Sequence, residues 1–127
     1  MAKKEFNLTG IEKGYNISWY VCTQTAANPV FVKLYDNERE YFSIAKKDSN
    51  NAFKIWSQGH SDFMGDTLKL QIDIPNNPTI KQSNTSSLVL DSVAQKVGQV
   101  YAFAIEDATD EDFNDIYVNI VAWAKKG

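Results

Sequence analysis

The sequence contains few of the residues that mark several common classes of protein. Cys22 is the single cysteine among 127 residues, so no internal disulfide can form, which fits a reducing compartment. No apolar run approaches the roughly 18 residues needed to span a membrane, so we expect no membrane insertion. The 13 basic and 16 acidic residues are near balance and form no basic stripe, so we expect no nucleic-acid partner.

The start of the chain lacks the apolar stretch of a signal peptide. Residues 1–5 are basic on balance, but a mixed polar and apolar stretch follows them. The sequence therefore predicts synthesis in the cytoplasm without a signal peptide, and it leaves open whether the protein is exported or held at the cell surface. The length indicates one domain, residues 1–127, and a hydrophobic content of 43% argues against disorder.

Helical periodicity is also missing, because the best candidate, residues 92–97, is too short to predict a helix. Residues 68–74 instead alternate apolar and polar with period two, which is typical of a strand with one wet face, and residues 15–21 do the same. Further strands are predicted at 30–35, 41–44, 53–56, 88–90, 100–105 and 116–123, and turns at 28–29, 36–37, 49–51, 75–78 and 83–86. Short strands at this spacing predict an all-β sandwich or barrel, and of the two we expect a single-domain antiparallel β-sandwich.

One segment holds much of the acidity. Six of the 16 acidic residues lie within 106–115, and the other ten against 13 basic residues leave the rest of the chain at +3. The segment joins the apolar runs 100–105 and 116–123, so it forms a loop between two predicted strands. Like charges packed so closely repel each other, and a bound hard cation offsets that cost. Calcium takes about six to eight oxygen ligands, which carboxylates and amide oxygens supply, so the segment predicts a calcium site.

The acidic segment does not follow the EF-hand pattern. Counting from Asp110, position six is Asp115, where the turn needs Gly, and position twelve is Val121, where a bidentate Glu is needed. Six acidic side chains are more than one calcium requires, so two adjacent ions that share bridging carboxylates use them better. The alternative is a solvated acidic hairpin, which is what most charge runs are.

Residues 106–115 read Glu-Asp-Ala-Thr-Asp-Glu-Asp-Phe-Asn-Asp, and at this loop the sequence resembles the bacterial calcium-mediated fucose- and mannose-binding lectins. That family carries Glu-Asp-Gly-Thr-Asp-x-Asp-Tyr-Asn-Asp, followed by an apolar strand and a C-terminal glycine. Here Ala108 stands for the family's glycine and Phe113 for its tyrosine, and the last residue is Gly127. The resemblance implies a β-sandwich lectin with two Ca2+ ions per site, which forms a homo-oligomer (dimer or tetramer) and binds carbohydrate.

The resemblance also implies a role for individual residues. The family's calcium-ligating side chains match Glu106, Asp110, Asp112, Asn114 and Asp115. Of these, Asp112 and Asp115 match residues that bridge the two ions. Asp107 and Asp110 match residues that hydrogen-bond the sugar, whose hydroxyls ligate both ions directly. The sugar-binding positions implied in this way are Asp107, Asp110, Asp112, Asn114, Asp115, Thr25 and Ala26.

Two places depart from the family's pattern. The sugar-specificity loop, near residues 22–28, is longer than the family's and lacks its Ser-Ser-Gly. Gln24 is the nearest match for a backbone carbonyl that ligates calcium, and small residues at Thr25 and Ala26 favour mannose-like over fucose-like ligands. In the family the terminal glycine carboxylate reaches a calcium of the neighbouring subunit, but the tail 124–127 is slightly longer here, so Gly127 either overshoots or a bulge absorbs the excess.

Two other functions stay open at this point. A structural or adhesion module would use calcium only to rigidify the loop, and a hydrolase would use two of the carboxylates as acid and base. A metal-bound cluster keeps its carboxylates ionised, which suits ligation and not proton donation, so we expect no enzyme. His60 is expected in a loop, and the neighbouring Ser61 and Asp62 do not make a triad, which is a three-dimensional arrangement.

Overall fold

The computed structural model describes residues 2–24, 29–47, 53–76, 79–106 and 115–125. Within these ranges the chain forms nine strands and no helix: β1 (Ala2–Leu8), β2 (Asn16–Thr23), β3 (Val30–Tyr35), β4 (Glu40–Lys46), β5 (Lys54–Asp62), β6 (Leu68–Ile74), β7 (Lys81–Leu90), β8 (Lys96–Glu106) and β9 (Ile116–Trp123). No helix long and apolar enough to cross a membrane occurs in these parts of the chain.

The strands form two antiparallel sheets. One has four strands in the order β1-β6-β3-β4, and the other has five in the order β5-β2-β9-β8-β7. The all-β fold and the antiparallel β-sandwich predicted from the sequence are confirmed. Strand pairs such as β8 and β9 are neighbours along the chain, whereas β2 and β9 pair across almost its whole length.

The core lies between the inward faces of the two sheets. In β6, Leu68, Leu70, Ile72 and Ile74 are buried and alternate with half-buried polar residues, as the period of two predicts. In β9, residues Ile116, Val118, Ile120 and Ala122 are buried in the same way. Because every second side chain of these strands leaves water, the alternation fixes which face of each strand points into the core.

Two local predictions from the sequence were wrong. The predicted turn at 83–86 lies inside β7, and His60 lies within strand β5 and not in a loop. The weak helical candidate at 92–97 is a turn followed by the start of β8. Asp91 stabilises this turn. Its carboxylate accepts hydrogen bonds of 2.9 Å from the backbone amides of Val93 and Gln95 and so closes the hairpin between β7 and β8.

The register of β9 separates the two ends of the five-stranded sheet. At one end Ile116 pairs with Thr23 of β2 and with Ile105 of β8. At the other end Trp123 pairs with Asn16 and Gly98. The acidic segment joins β8 to β9 at the first end, and residues 124–125 follow β9 at the second. The two ends of an eight-residue strand are roughly 25 Å apart.

Candidate functional site

The last residue of β8 and the residue before β9 meet at one end of the sandwich. Ile105 pairs with Ile116, so the next residues outward are Glu106 and Asp115. Both are almost fully buried, with 1% of Glu106 and 2% of Asp115 exposed. Two carboxylate residues are therefore held at the base of the acidic segment, each fixed by the strand that carries it.

The end of β2 lies against the same place. Thr23 pairs with Ile116, and the backbone amide of Gln24 donates a hydrogen bond of 3.3 Å to the carbonyl oxygen of Asp115. The segment that begins at Gln24 and the acidic segment thus start from neighbouring backbone positions. Sequence positions about 90 residues apart are brought together by the pairing of β2 with β9.

Thr23 is itself anchored by a neighbouring strand. Its side chain is buried, and its hydroxyl oxygen accepts a hydrogen bond of 2.9 Å from the indole nitrogen of Trp56 in β5. The ammonium group of Lys54 lies 4.0 Å from the centre of the Trp56 ring, a cation–π contact. Trp56 is therefore a positioning residue for the strand end that leads to Gln24.

Burial of two acidic residues at this end has an electrostatic cost. An ionised carboxylate loses its hydration on burial, and a nearby positive charge must compensate for it. Lys81 at the start of β7 pairs with Glu106, so one ammonium side chain is carried beside this carboxylate. A second lysine, Lys46 at the end of β4, is 1% exposed and pairs with Val30 at the start of β3. Six acidic residues within 106–115 still give this part of the sequence an excess of negative charge.

The residues at this end fit a hard cation. Carboxylate oxygens, with backbone carbonyl oxygens such as those of Asp115 and its neighbours, are the ligands that calcium prefers. In the described ranges no group of three or more His, Cys, Asp or Glu side chains is close enough to hold a metal ion. Glu106 and Asp115 alone are therefore an incomplete ligand set, which the acids of 107–114 are needed to complete.

The structure covers three of the residues predicted for the site. Glu106, Asp115 and Gln24 lie together at one end of the sandwich, and the roles predicted for them in binding calcium stay predictions. The remaining predicted residues fall outside the described ranges: Asp107, Asp110, Asp112, Asn114, Thr25, Ala26 and Gly127. Their roles stay predictions.

Other residues considered from the sequence lie away from this end or pack internally. Trp19 and Trp56 pack against the core, whereas Trp123 is 39% exposed on the outer face of the five-stranded sheet. Cys22 is a buried strand residue. The burial of Lys46 and the hydrogen bond between Trp56 and Thr23 were not predicted from the sequence. Lys46 follows Phe42 and Ile44 at a spacing of two, and this spacing was a signal that its side chain points inward.

Solved structures of three bacterial proteins share this architecture over almost the whole chain. The first is a Chromobacterium violaceum lectin in complex with alpha-methyl-fucoside, at 17% identity and a TM-score of 0.62, covering 97% of this chain and 96% of that one. The chain has the fold of a bacterial lectin.

The other two structures agree with the first. The C-terminal domain of a Burkholderia cenocepacia lectin matches at 14% identity and a TM-score of 0.68, and a Ralstonia solanacearum high-affinity mannose-binding lectin at 15% and 0.61. Each covers 97% of this chain and 96% of its own. No protein-family model and no curated protein sequence matches the chain. The fold that the resemblance at residues 106–115 implied is thus confirmed. At sequence identities of 14–17% these structures show the fold alone.

Proposed function

We propose that the protein is a calcium-dependent lectin that binds monosaccharides of the mannose or fucose type and is not an enzyme. The observation that carries the proposal is the pair of buried acidic residues, Glu106 and Asp115, at the base of a segment with four further acids. A folded sandwich that buries two carboxylates beneath a dense acidic loop gains stability from a bound cation.

The roles of the chain's own residues follow from this proposal. Glu106 and Asp115 would hold calcium from the strand ends, and Asp110, Asp112 and Asn114 would complete the ligand set for two ions. Calcium, when bound, would supply a Lewis acid to which the neutral hydroxyl oxygens of a sugar can bind. Asp107 and Asp110 orient the sugar hydroxyls by accepting hydrogen bonds from them. Such hydrogen bonds are stronger when the acceptor is an ionised carboxylate. The fixed spacing of the hydroxyls on the sugar ring then selects among monosaccharides.

The sugar class is supported by the fold and by the segment after β2. Two of the similar structures are described by their ligands, alpha-methyl-fucoside in one and mannose in the other. The hydrogen bond from Gln24 to Asp115 starts the segment 24–28 beside the acidic segment. Thr25 and Ala26 are therefore the positions where we expect specificity to be set, with small side chains that favour mannose-like ligands.

The rival function is a structural or adhesion module in which calcium only stiffens the loop. Thermal unfolding separates the two. We expect calcium to raise the melting temperature and mannose or alpha-methyl-fucoside to raise it further, with no effect of either sugar in EDTA. A melting temperature that rises with calcium, and that no sugar of a broad panel raises further, would favour the structural module. Release of reducing sugar from an oligosaccharide would contradict the claim that the protein is not an enzyme.

A further inference from the structure

A cavity lies at the end of the sandwich away from the acidic segment. Its volume is about 220 Å³, and the residues that line it come from the ends of β3 and β6 and the loops beside them: Tyr35, Asp36, Asn37, Asp66, Thr67 and Lys69. The guanidinium group of Arg39 donates a hydrogen bond of 3.0 Å to the carbonyl oxygen of Asp62 at the end of β5. Asp62 pairs with Asn16, which pairs with Trp123. The cavity is therefore at the Trp123 end, about one strand length, roughly 25 Å, from the acidic segment.

The wall of the cavity is formed by two loops that hold each other in place. The side-chain oxygen of Asn37 accepts a hydrogen bond of 2.8 Å from the backbone amide of Asp66, and its nitrogen donates one of 3.1 Å to the Asp66 carboxylate. Gly65 permits this approach, because a Cβ atom there would lie 2.4 Å from the carboxyl carbon of Asp36. The cavity is thus shaped by contacts within the protein and is present before a ligand binds, as small-molecule sites usually are.

Asp36 braces this wall and is already engaged by the protein. Its carboxylate accepts hydrogen bonds of 2.6 Å and 2.8 Å from the backbone amides of Glu38 and Arg39, and a third from the hydroxyl of Tyr41. Only 9% of Asp36 is exposed. Contacts with a ligand therefore fall to the other lining residues, above all to Tyr35, Asp66, Thr67 and Lys69.

The charges at the rim of the cavity are paired. The ammonium group of Lys13 lies 4.0 Å from the carboxylate of Asp66, and that of Lys69 lies 3.7 Å from the carboxylate of Glu5. Because each exposed carboxylate has a cation beside it, the rim has little excess of negative charge to attract a metal ion and little excess of positive charge to attract an anion. A neutral polar ligand fits these surroundings better than an ion does.

The groups that line the cavity match the parts of a secondary amide. The carboxylate of Asp66 accepts hydrogen bonds, the ammonium group of Lys69 donates them, and the hydroxyl of Thr67 does both. An amide has one N–H donor and one carbonyl acceptor. The ring of Tyr35 adds an apolar surface on which a methyl group can pack. The N–H, the carbonyl oxygen and the methyl of an acetamido group each have a partner here.

We propose that the cavity binds an N-acetylated amino sugar and does so without calcium. Its volume is below the roughly 300–1,000 Å³ of sites for drug-sized ligands, so a single sugar ring is the expected occupant. Ring hydroxyls both donate and accept hydrogen bonds, which suits a rim with Asp66, Thr67 and Lys69. This site goes beyond the proposed function and does not depend on it. A chain with a sugar site at each end would join two glycans, and paired sites gain by effective concentration.

NMR titration in EDTA tests the proposal on the unmodified chain. The probe is N-acetylglucosamine, and two sugars serve as controls: glucose, which lacks the amide, and glucosamine, which carries an ammonium group in its place. We expect N-acetylglucosamine to bind with a Kd at least about tenfold lower than either control and to shift the backbone amide signals of Asp66 and Thr67. Equal binding of glucose, or tighter binding of glucosamine, would overturn the proposal.

Two variants locate the binding in the cavity. Thr67→Val removes an exposed hydroxyl and Asp66→Asn removes the charge of an exposed carboxylate, so neither change touches the core. We expect each to raise the Kd for N-acetylglucosamine at least about fivefold, because each removes or weakens one hydrogen bond. Thr85→Val, at an exposed position of β7, is the matched control and should bind like the unmodified chain. Thermal unfolding checks that each variant is folded. Folded variants that both bind as tightly as the control would overturn the proposal.

Calcium separates this cavity from the site at the acidic segment. Thr67→Val should leave the calcium-dependent titration with mannose unchanged, because Thr67 lies at the other end of the sandwich. No binding of N-acetylglucosamine in EDTA would contradict the cavity site alone. Failure of mannose and alpha-methyl-fucoside to bind in saturating calcium would contradict the proposed function alone.

Discussion

The backbone amide of Gln24 lies 3.3 Å from the carbonyl oxygen of Asp115 and donates a hydrogen bond to it. This bond joins the end of β2 to the start of β9, beyond the last ladder pair of Thr23 with Ile116. The segment expected to set sugar specificity and the segment expected to hold calcium therefore share one anchored starting point.

Neutralising the buried carboxylates should weaken calcium binding. We expect Glu106→Gln and Asp115→Asn each to raise the calcium Kd at least about tenfold, or about 1.4 kcal/mol, because each removes a charged oxygen ligand from the base of the site. Isothermal calorimetry with calcium measures this. Glu40→Gln is the matched control. Glu40 is an exposed carboxylate and is the first residue of β4, so it lies at the opposite end of this strand from Lys46.

The calcium-free stability of the same variants provides a second readout. Without the cation, buried carboxylates repel each other, so neutralising one should leave the melting temperature in EDTA unchanged or higher. Adding calcium should then raise it less than in the unmodified chain. If both variants bind calcium as tightly as Glu40→Gln, the acidic residues at the strand ends are not ligands.

The bridging role predicted for Asp112 has its own signature. Replacing one carboxylate shared by two ions should remove both, so Asp112→Ala should lower the calcium stoichiometry from two to zero and abolish sugar binding. Calorimetry with calcium gives the stoichiometry directly. An unchanged stoichiometry for Asp112→Ala would refute the bridging role while leaving a single-ion site possible.

The hydrogen bond between Trp56 and Thr23 should stabilise the strand end beside the site. Trp56→Phe removes the indole donor and leaves the buried hydroxyl of Thr23 without it, which should cost about 1 kcal/mol of unfolding free energy in urea. Thr23→Val and the double variant complete a mutant cycle, and we expect a coupling of about 0.5–1.5 kcal/mol. A coupling of zero would show that the two side chains contribute independently.

Asp36 should make the fold sensitive to acid. Burial raises the pKa of its carboxyl, but the Tyr41 hydroxyl and the Arg39 and Glu38 amides donate hydrogen bonds that outweigh burial and hold the pKa below its usual value. A folded-state pKa below the unfolded value of about 3.9 means that Asp36 contributes stability above that pH. This contribution is lost as the pH falls through the lower folded pKa.

Replacing Asp36 exposes that dependence. Asp36→Asn should cost about 1–3 kcal/mol of unfolding free energy at pH 6, because the ionised acceptor is lost, and the difference from the unmodified chain should shrink towards pH 2. Urea unfolding across this range measures it, with Glu40→Gln as the control. A difference that stays constant with pH would mean that the hydrogen bonds do not depend on the charge of Asp36.

The sequence predicted the strands that have one apolar face and missed parts of those that do not. β6 and β9 alternate strictly because their inner faces fill the core. β7 is an edge strand in which most residues are exposed, so its polar residues 83–86 carry no alternation and were interpreted as a turn. β5 is another edge strand, and the same reason explains why its second half, with His60, was not predicted as a strand.

The site was predictable to the extent that it is local in sequence. The acidic segment between two apolar runs placed Glu106 and Asp115 at strand ends without any three-dimensional information. The contact of Gln24 with Asp115 depends on the pairing of β2 with β9, which no local pattern encodes, and only the resemblance anticipated it. Lys46 is in phase with the buried Phe42 and Ile44 of β4, so the alternation indicated its inward direction, but its charge kept it from being predicted as a buried residue.

Calorimetric titration of the calcium-saturated protein with mannose and with alpha-methyl-fucoside tests the central claim most directly. We predict that at least one of the two sugars binds with one site per chain, and that the heat of binding disappears when calcium is removed with EDTA and returns when calcium is restored. Binding that persists in EDTA would contradict the role of calcium. No heat from either sugar or from a wider panel of monosaccharides in saturating calcium would contradict the account of the protein as a lectin.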